Sequence, residues 1–267
     1  MIKIIASDMD GTLLNNENSI SEGNANAIKK AQAMGVTFVV ATGRSYDEVK
    51  PLIDAAGINA PMINFNGGAT TTETGTQIHS FPILKDEAKK VIKLLKDEHV
   101  FFKIMTSDGV YSDDPLKYDE AVVKLQLQPI HYVDSYNEII DNAEIDLFKV
   151  LIRKTDGADD LSVIKNKIEE NTSLVVTSSG DNNLEVNHNN AQKGIALKRF
   201  ADDLGIPMSD VMAIGDNLND ISMLKAAGVS YAMENGHQEN KDVSNHRAKT
   251  NVEDGVGLAI LEQLSQE

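Results

Sequence analysis

Three short apolar segments within the first 65 residues constrain the fold more than any other feature of the sequence. They lie at Ile2–Ala6, Val36–Ala41 and Pro61–Phe65, and they alternate with segments of helical spacing at Ser21–Met34 and Ser45–Ala56. The middle segment, VTFVVA, is apolar throughout, which is typical of a strand buried on both faces. A strand–helix–strand–helix–strand order predicts a parallel sheet with right-handed crossovers.

The same alternation returns near the C-terminus. Strands are predicted at Val211–Ile214 and Val229–Met233, and helices at Lys193–Leu204, Leu218–Ala226 and Val256–Leu264. We therefore expect an α/β, Rossmann-like parallel-sheet core formed by residues 1–84 and 186–267.

The intervening pattern is mixed. Predicted elements there are a hairpin at Gly67–Phe81, helices at Asp86–Glu98 and Gly157–Asn171, and strands at Leu147–Ile152 and Leu174–Thr177. Residues 85–185 are long enough for a domain of their own, so the sequence predicts an inserted α+β domain that follows the third core strand.

Charge and composition exclude several classes of function. Lys and Arg number 25 against 41 Asp and Glu, and a net charge of −16 disfavours nucleic acid and anionic membranes as partners. The absence of cysteine excludes disulfides and thiolate zinc sites. No apolar run approaches the roughly 18 residues of a membrane helix, and Asp8 interrupts the N-terminal apolar segment. We expect a cytoplasmic protein; the sequence leaves its oligomeric state open.

Polar residues follow the predicted core strands directly. Asp8 and Asp10 (in DMDGT) follow the first strand and Thr42 (in TGR) the second, while Asn66 follows the third. GDNLND, with Asp216 and Asp220, follows the strand at 211–214. Ligands of open parallel sheets bind beyond the carboxyl ends of the strands, so we expect these side chains to form one site.

Carboxylates at one site repel each other unless a cation lies between them. Oxygen ligands favour Mg²⁺. The amides of Met9 and Gly43, the Thr42 hydroxyl and the Lys193 ammonium are suited to bind phosphate oxygens. Asp8 is predicted to attack phosphorus and Asp10 to act as general acid–base. Their spacing of two residues predicts that both side chains lie on the same strand face.

These motifs resemble those of the haloacid dehalogenase superfamily. The resemblance lies in DMDGTLL, in Thr42 of ATGR, in Lys193 of QKG and in GDNLND, while AMEN and TNVEDGV resemble the Cof-type subgroup of sugar-phosphate phosphatases. It implies a Mg²⁺-dependent phosphatase of small phosphorylated metabolites that forms an aspartyl-phosphate. The implied metal ligands are Asp8, the Asp10 carbonyl and Asp216; the implied phosphate contacts are Met9, Thr42, Gly43, Lys193 and Asn219; Arg44, Asn66 and Asp220 are supporting residues.

Spacing locates the cap domain that this resemblance implies. Only 32 positions separate Asp10 from Thr42, whereas 151 separate Thr42 from Lys193, so the cap is expected in the second interval, at residues 85–185. A phosphomutase or phosphotransferase with the same intermediate, and a non-catalytic protein that binds a phosphorylated metabolite, are the alternatives.

Overall fold

In a computed structural model, the chain is described at residues 1–113, 129–154, 160–178 and 183–266. The strands are β1 Ile4–Ser7, β2 Thr37–Ala41, β3 Met62–Asn64, β4 Ala69–Thr71, β5 Gln77–Ser80, β6 Phe101–Thr106, β7 Val110–Ser112, β8 Ile130–Tyr132, β9 Leu147–Arg153, β10 Val175–Thr177, β11 Asn183–Asn187, β12 Val211–Gly215, β13 Val229–Met233 and β14 His246–Ala248. The α-helices are α1 Glu22–Ala33, α2 Tyr46–Ala55, α3 Lys85–Asp97, α4 Asn137–Ile140, α5 Leu161–Asn171, α6 Lys193–Asp203, α7 Ile221–Ala226, α8 Gln238–Val243 and α9 Gly255–Ser265.

The chain divides into two compact units. The first, here the core unit, comprises Met1–Ser80 and Ala191–Glu267, and the second, here the insert, comprises Phe81–Asn190. The insert therefore begins four residues before, and ends five residues after, the boundaries expected from the sequence. Its predicted helix at 157–171 corresponds to α5, but positions 157–159 lie outside the described residues.

The core unit is built on the parallel sheet that the sequence predicts. Strand order is β14-β13-β12-β1-β2-β3-β4-β5, with parallel pairing from β14 to β3 and an antiparallel extension by β4 and β5. β1 is central, since Ile4 pairs with Val211 on one side and with Thr37 on the other. The expected α/β fold is confirmed.

Apolar clusters cover both faces of the central strands. Ile5 packs into a cluster that includes Ile28 of α1 and Ile260 of α9. Its neighbour Ile4 points the other way, into a cluster with Leu197 of α6. Each fully buried isoleucine contributes about 1.5–3 kcal/mol, so β1 and its carboxyl end are held rigidly.

The insert has its own sheet and its own apolar core. Its strand order is β10-β11-β9-β6-β7-β8, antiparallel except for the parallel pair β7–β8. One face of this sheet packs against apolar side chains of α3 and α5, such as Leu95 and Ile164. Within the described residues, no helix combines the length and apolar character that crossing a bilayer requires.

One predicted helix is divided. The segment expected to be helical at Leu218–Ala226 forms a 3₁₀ turn at Leu218–Asp220 before α7 begins at Ile221. The cause is Asp220, whose carboxylate turns back to accept the backbone N–H of Asn217 and so closes a separate cap.

Candidate active site

The segment after β1 carries the predicted nucleophile. Asp8 is buried at 5% exposure, and Met9–Leu13 then form one wide helical turn whose backbone is non-helical at Asp10 and Gly11. Asp10, in contrast, has an exposed side chain. The expectation that Asp8 and Asp10 lie on the same strand face is therefore wrong. β1 ends at Ser7, so the alternation of side chains along a strand does not extend to these two residues.

A buried lysine contacts this nucleophile directly. Lys193, the first residue of α6, has no exposed surface; its Nζ lies 2.6 Å from Asp8 Oδ1 and 2.7 Å from Asp220 Oδ1. Burial alone lowers the pKa of Lys193, but Asp220 and Asp8 raise it above its ordinary value. Lys193 thus stays protonated and binds the two carboxylates, although they lie far apart in the sequence.

The Asp220 carboxylate accepts three hydrogen bonds. Besides Lys193 on Oδ1, it accepts the N–H groups of Asp216 and Asn217 on Oδ2, each at 2.9 Å. It therefore fixes the loop after β12 and leaves Asp216 facing the turn after β1.

The turn after β1 and the loop after β12 are in close contact. The Thr12 hydroxyl donates to Asp216 Oδ1 at 2.6 Å. Gly11 has φ +73°, and a Cβ at this position would lie 2.4 Å from Asp216 Oδ2. Only glycine meets both conditions, because it tolerates positive φ and leaves room for the carboxylate.

The resulting cluster is strongly negative. Oxygen atoms of Asp8, Asp216 and Asp220 lie within 4.8 Å of one another, somewhat wider than the roughly 3 Å between adjacent and 4 Å between opposite ligands of an octahedral Mg²⁺ ion. Burial, then repulsion by Asp220, raises the pKa of Asp8 well above its ordinary value, although Lys193 opposes this. Burial and Asp220 also raise the pKa of Asp216 to about 6. Three carboxylates with one ammonium fit a divalent cation held by oxygen ligands.

The carboxylate cluster overlaps the expected metal ligands at Asp8 and Asp216. Its third member is Asp220, whereas Asp10 is expected to bind metal through its main-chain carbonyl, and its side chain bonds elsewhere. Arg44 Nε donates to Asp10 Oδ2 at 2.9 Å, and a terminal guanidinium nitrogen of Arg44 pairs with Asp10 Oδ1. The Asp10 carboxylate is therefore held by a bidentate contact with a residue that the sequence marks only as supporting.

Two of the predicted phosphate-binding residues, Thr42 and Gly43, follow β2, and the supporting residue Asn66 follows β3. Buried Thr42 accepts the Arg44 N–H on its hydroxyl at 3.2 Å, and its carbonyl accepts the Asn66 N–H at 2.9 Å. Gly43 lies between Thr42 and Arg44. Asn66 has φ +59°, and its side-chain oxygen accepts from Asn219 at 3.1 Å. A left-handed backbone is strained for a residue other than glycine, and the hydrogen bond with Asn219 holds Asn66 in this conformation opposite the loop after β12.

Met9 contributes differently from these residues. Its side chain is fully buried in the apolar cluster that contains Ile5 and Ile28, so only its main chain is able to face a ligand. Thr12 has a contact that the sequence analysis did not assign, although it stands in the DMDGT motif; a hydroxyl directly after the glycine was the available signal.

Comparison with known proteins agrees with this geometry. A family model described as haloacid dehalogenase-like hydrolase matches residues 5–260. The chain belongs to this family. The phosphatase YwpJ of Bacillus subtilis (strain 168) is 31% identical to it, over 96% of this chain and 97% of that protein. The expected membership of the haloacid dehalogenase superfamily and the expected class of enzyme, a phosphatase, are confirmed.

Two further similarities extend over nearly the whole chain. The protein named 5-amino-6-(5-phospho-D-ribitylamino)uracil phosphatase YwtE, also of Bacillus subtilis (strain 168), is 34% identical to this chain over 99% of each protein. A solved haloacid dehalogenase-like hydrolase from B. subtilis superposes with a TM-score of 0.87 at 30% identity and covers 97% of this chain and 99% of its own. The fold of the family thus applies to both units of the chain.

Proposed function

We propose that the protein is a Mg²⁺-dependent phosphatase that hydrolyses small phosphomonoesters through an aspartyl-phosphate intermediate on Asp8. The observation that carries the proposal is the Asp8–Lys193–Asp220–Asp216 cluster, in which Asp8 lies 2.6 Å from a buried ammonium within an excess of negative charge. Such a cluster supports an ionised nucleophile only when a cation balances it.

The residues divide the chemistry among them. Asp8 Oδ attacks phosphorus and the bond to the leaving alkoxide breaks, while Asp10, protonated and released from its contact with Arg44, gives that alkoxide a proton. Water then attacks the aspartyl-phosphate, Asp10 takes its proton, and inorganic phosphate leaves. Lys193 and the amides near Met9 and Gly43 stabilise charge on the transferring group.

Asp8 and Asp216 are the side chains proposed to hold the metal, with the Asp10 carbonyl as a third ligand. Bound Mg²⁺ would neutralise charge on the phosphoryl oxygens and on the nucleophile. Asp220 takes no metal in this proposal, because Lys193 and two amides already occupy its oxygens.

We further propose that the substrate is the phosphate monoester of a sugar or sugar-alcohol chain and that the insert serves as the cap. Support for the substrate class comes from the relative named as a phosphatase of a ribityl phosphate. A panel of phosphomonoesters, including that compound and common sugar phosphates, assayed for inorganic phosphate with and without Mg²⁺, tests both substrate and metal.

The decisive variant is Asp8→Asn, which keeps the size of the side chain but removes the nucleophilic charge. Release of phosphate is expected to fall by at least about 10³-fold, because the proposal assigns formation of the aspartyl-phosphate to Asp8 alone. Asp202→Asn, an exposed site on α6, is the matched control and should keep parental activity.

Full activity of a folded Asp8→Asn variant would refute the mechanism. An isomeric phosphate ester formed with little inorganic phosphate would instead favour the phosphomutase alternative. Tight binding without any turnover would favour the binding-protein alternative.

A further inference from the structure

The AMEN motif places an asparagine against the catalytic turn. Asn235, two residues after β13, donates from Nδ2 to the Gly11 carbonyl at 2.8 Å. Its Oδ1 accepts the backbone N–H of Asn251 at 3.1 Å. The amide of Asn235 thus has a carbonyl on its nitrogen side and an N–H on its oxygen side, so both of its ends are matched to their partners.

The TNVEDGV motif adds a second contact to the same segment. Asn251, largely buried, donates from Nδ2 to the Leu14 carbonyl at 2.8 Å. Asn235 and Asn251 therefore hold the turn after β1 at Gly11 and at Leu14, and they are linked to each other. Neither motif has a role in the chemistry proposed above.

The residues after Asn235 contact the loop that carries Asp216. The His237 N–H donates to the Asp216 carbonyl at 2.8 Å. Gly236 lies against the backbone of Asp216, where a Cβ on residue 236 would be 2.8 Å from the Asp216 carbonyl oxygen and 2.9 Å from the Asp216 Cα. The segment Asn235–His237 thus contacts the nucleophile turn with its first residue and the Asp216 loop with the next two.

We infer that Asn235 is a positioning residue that sets the spacing between the Asp8–Gly11 turn and Asp216. The inference rests on the proposed function, in which both segments supply metal ligands. Gly11 directly follows Asp10 and contacts the Asp216 carboxylate, so displacement of its peptide moves the Asp10 carbonyl relative to Asp216. Loss of Asn235 should therefore weaken Mg²⁺ binding and lower kcat, with little effect on KM for the substrate.

The test uses Asn235→Leu, which keeps a similar shape, removes both hydrogen bonds and adds no charge near the metal. Loss of a positioning contact of this kind typically costs about 10–100-fold in metal affinity or activity. We expect Mg²⁺ affinity, measured by calorimetry without substrate, and kcat to fall within that range, with KM changed by less than about 3-fold.

Two matched variants separate positioning from stability. Asn251→Leu removes a buried hydrogen bond farther from the ligands, and Asn245→Leu removes the bonds to Ser230 without contacting either segment. Since Asn235 is exposed, its variant should lower Tm less than Asn251→Leu but lower Mg²⁺ affinity and kcat more. Asn245→Leu should leave both Mg²⁺ affinity and kcat at parental values. If Asn251→Leu does not fold, Asn245→Leu still serves as the control for a hydrogen bond lost outside the site.

Mg²⁺ affinity and kcat of Asn235→Leu within 2-fold of the parent would overturn the inference. So would catalytic losses that follow the order of the Tm losses. If the parent itself turns over no phosphomonoester, the proposed function fails, but the comparison of Mg²⁺ affinities still decides the role of Asn235.

Discussion

The core unit and the insert each bury a lysine, but in different electrostatic surroundings. Lys193 of the core unit has no exposed surface and contacts two carboxylates at 2.6 and 2.7 Å, with Asp216 close by. Lys149 of the insert is 3.4 Å from one carboxylate, that of Glu185, on a sheet face where both are nearly buried. The insert sheet buries two lysines, Lys149 and Lys103, on the same face as one carboxylate, whereas the core unit gathers three carboxylates around one ammonium.

This difference shows what charge imbalance means in a folded chain. A buried pair of opposite charges is roughly neutral in stability, since desolvation offsets attraction. Burial and an excess of carboxylates together raise the pKa of the members, as burial and Asp220 do at Asp216, and the charged forms persist only where a cation balances them. The excess of buried carboxylates in the core cluster, which the Lys149–Glu185 pair lacks, therefore supports the cation proposed for that cluster.

The largest effect on stability is expected from Lys193→Met. It leaves Asp8 and Asp220 buried without their ammonium, and breaking a buried pair typically costs about 3–5 kcal/mol. Urea unfolding measures this loss. Lys198→Met on the same helix removes only an exposed pair with Asp202 and should change stability by less than about 1 kcal/mol. Equal losses for the two variants would contradict the comparison.

The next largest effect on stability is expected from Mg²⁺, which should stabilise the core unit. At a free concentration 100 times its Kd, a ligand that binds only the folded state adds about 2.7 kcal/mol. Hydrogen exchange should show the added protection at Asp216 and Asn217 rather than at Glu185. The metal-free protein in buffer with EDTA provides the baseline. Added protection confined to the insert would contradict the assignment of the metal to the core cluster.

The smallest effect is expected in the insert. Lys149→Met should cost about 2 kcal/mol, less than Lys193→Met, because its contact with Glu185 is single and longer, at 3.4 Å, and the buried Lys103 stays on the same sheet face. A second change, Glu185→Met, should recover part of that loss because no member of the pair is then left unpaired. Urea unfolding of the single and double variants gives the coupling energy. A double variant less stable than either single variant would show that the charges of Lys149 and Glu185 do not compensate each other.

The sequence predicts the architecture better than the side-chain contacts. Continuous apolar strands such as β2 and the polar residues after them identify the parallel sheet and its functional edge, because both signals are local. The pairing of Arg44 with Asp10 and the contact of Asn235 with Gly11 join residues 34 and 224 positions apart. No local pattern encodes such contacts, since they depend on how turns are placed by the finished sheet.

The central place of β1 has a consequence for biosynthesis. One neighbour of this strand, β2, follows within the first 41 residues, but the other, β12, begins at Val211, after the whole insert has been made. A nascent chain therefore leaves the ribosome with one edge of its central strand, β1, unpaired until the last quarter of translation. Chains stalled within the insert should be the ones that chaperones capture and that aggregate most readily.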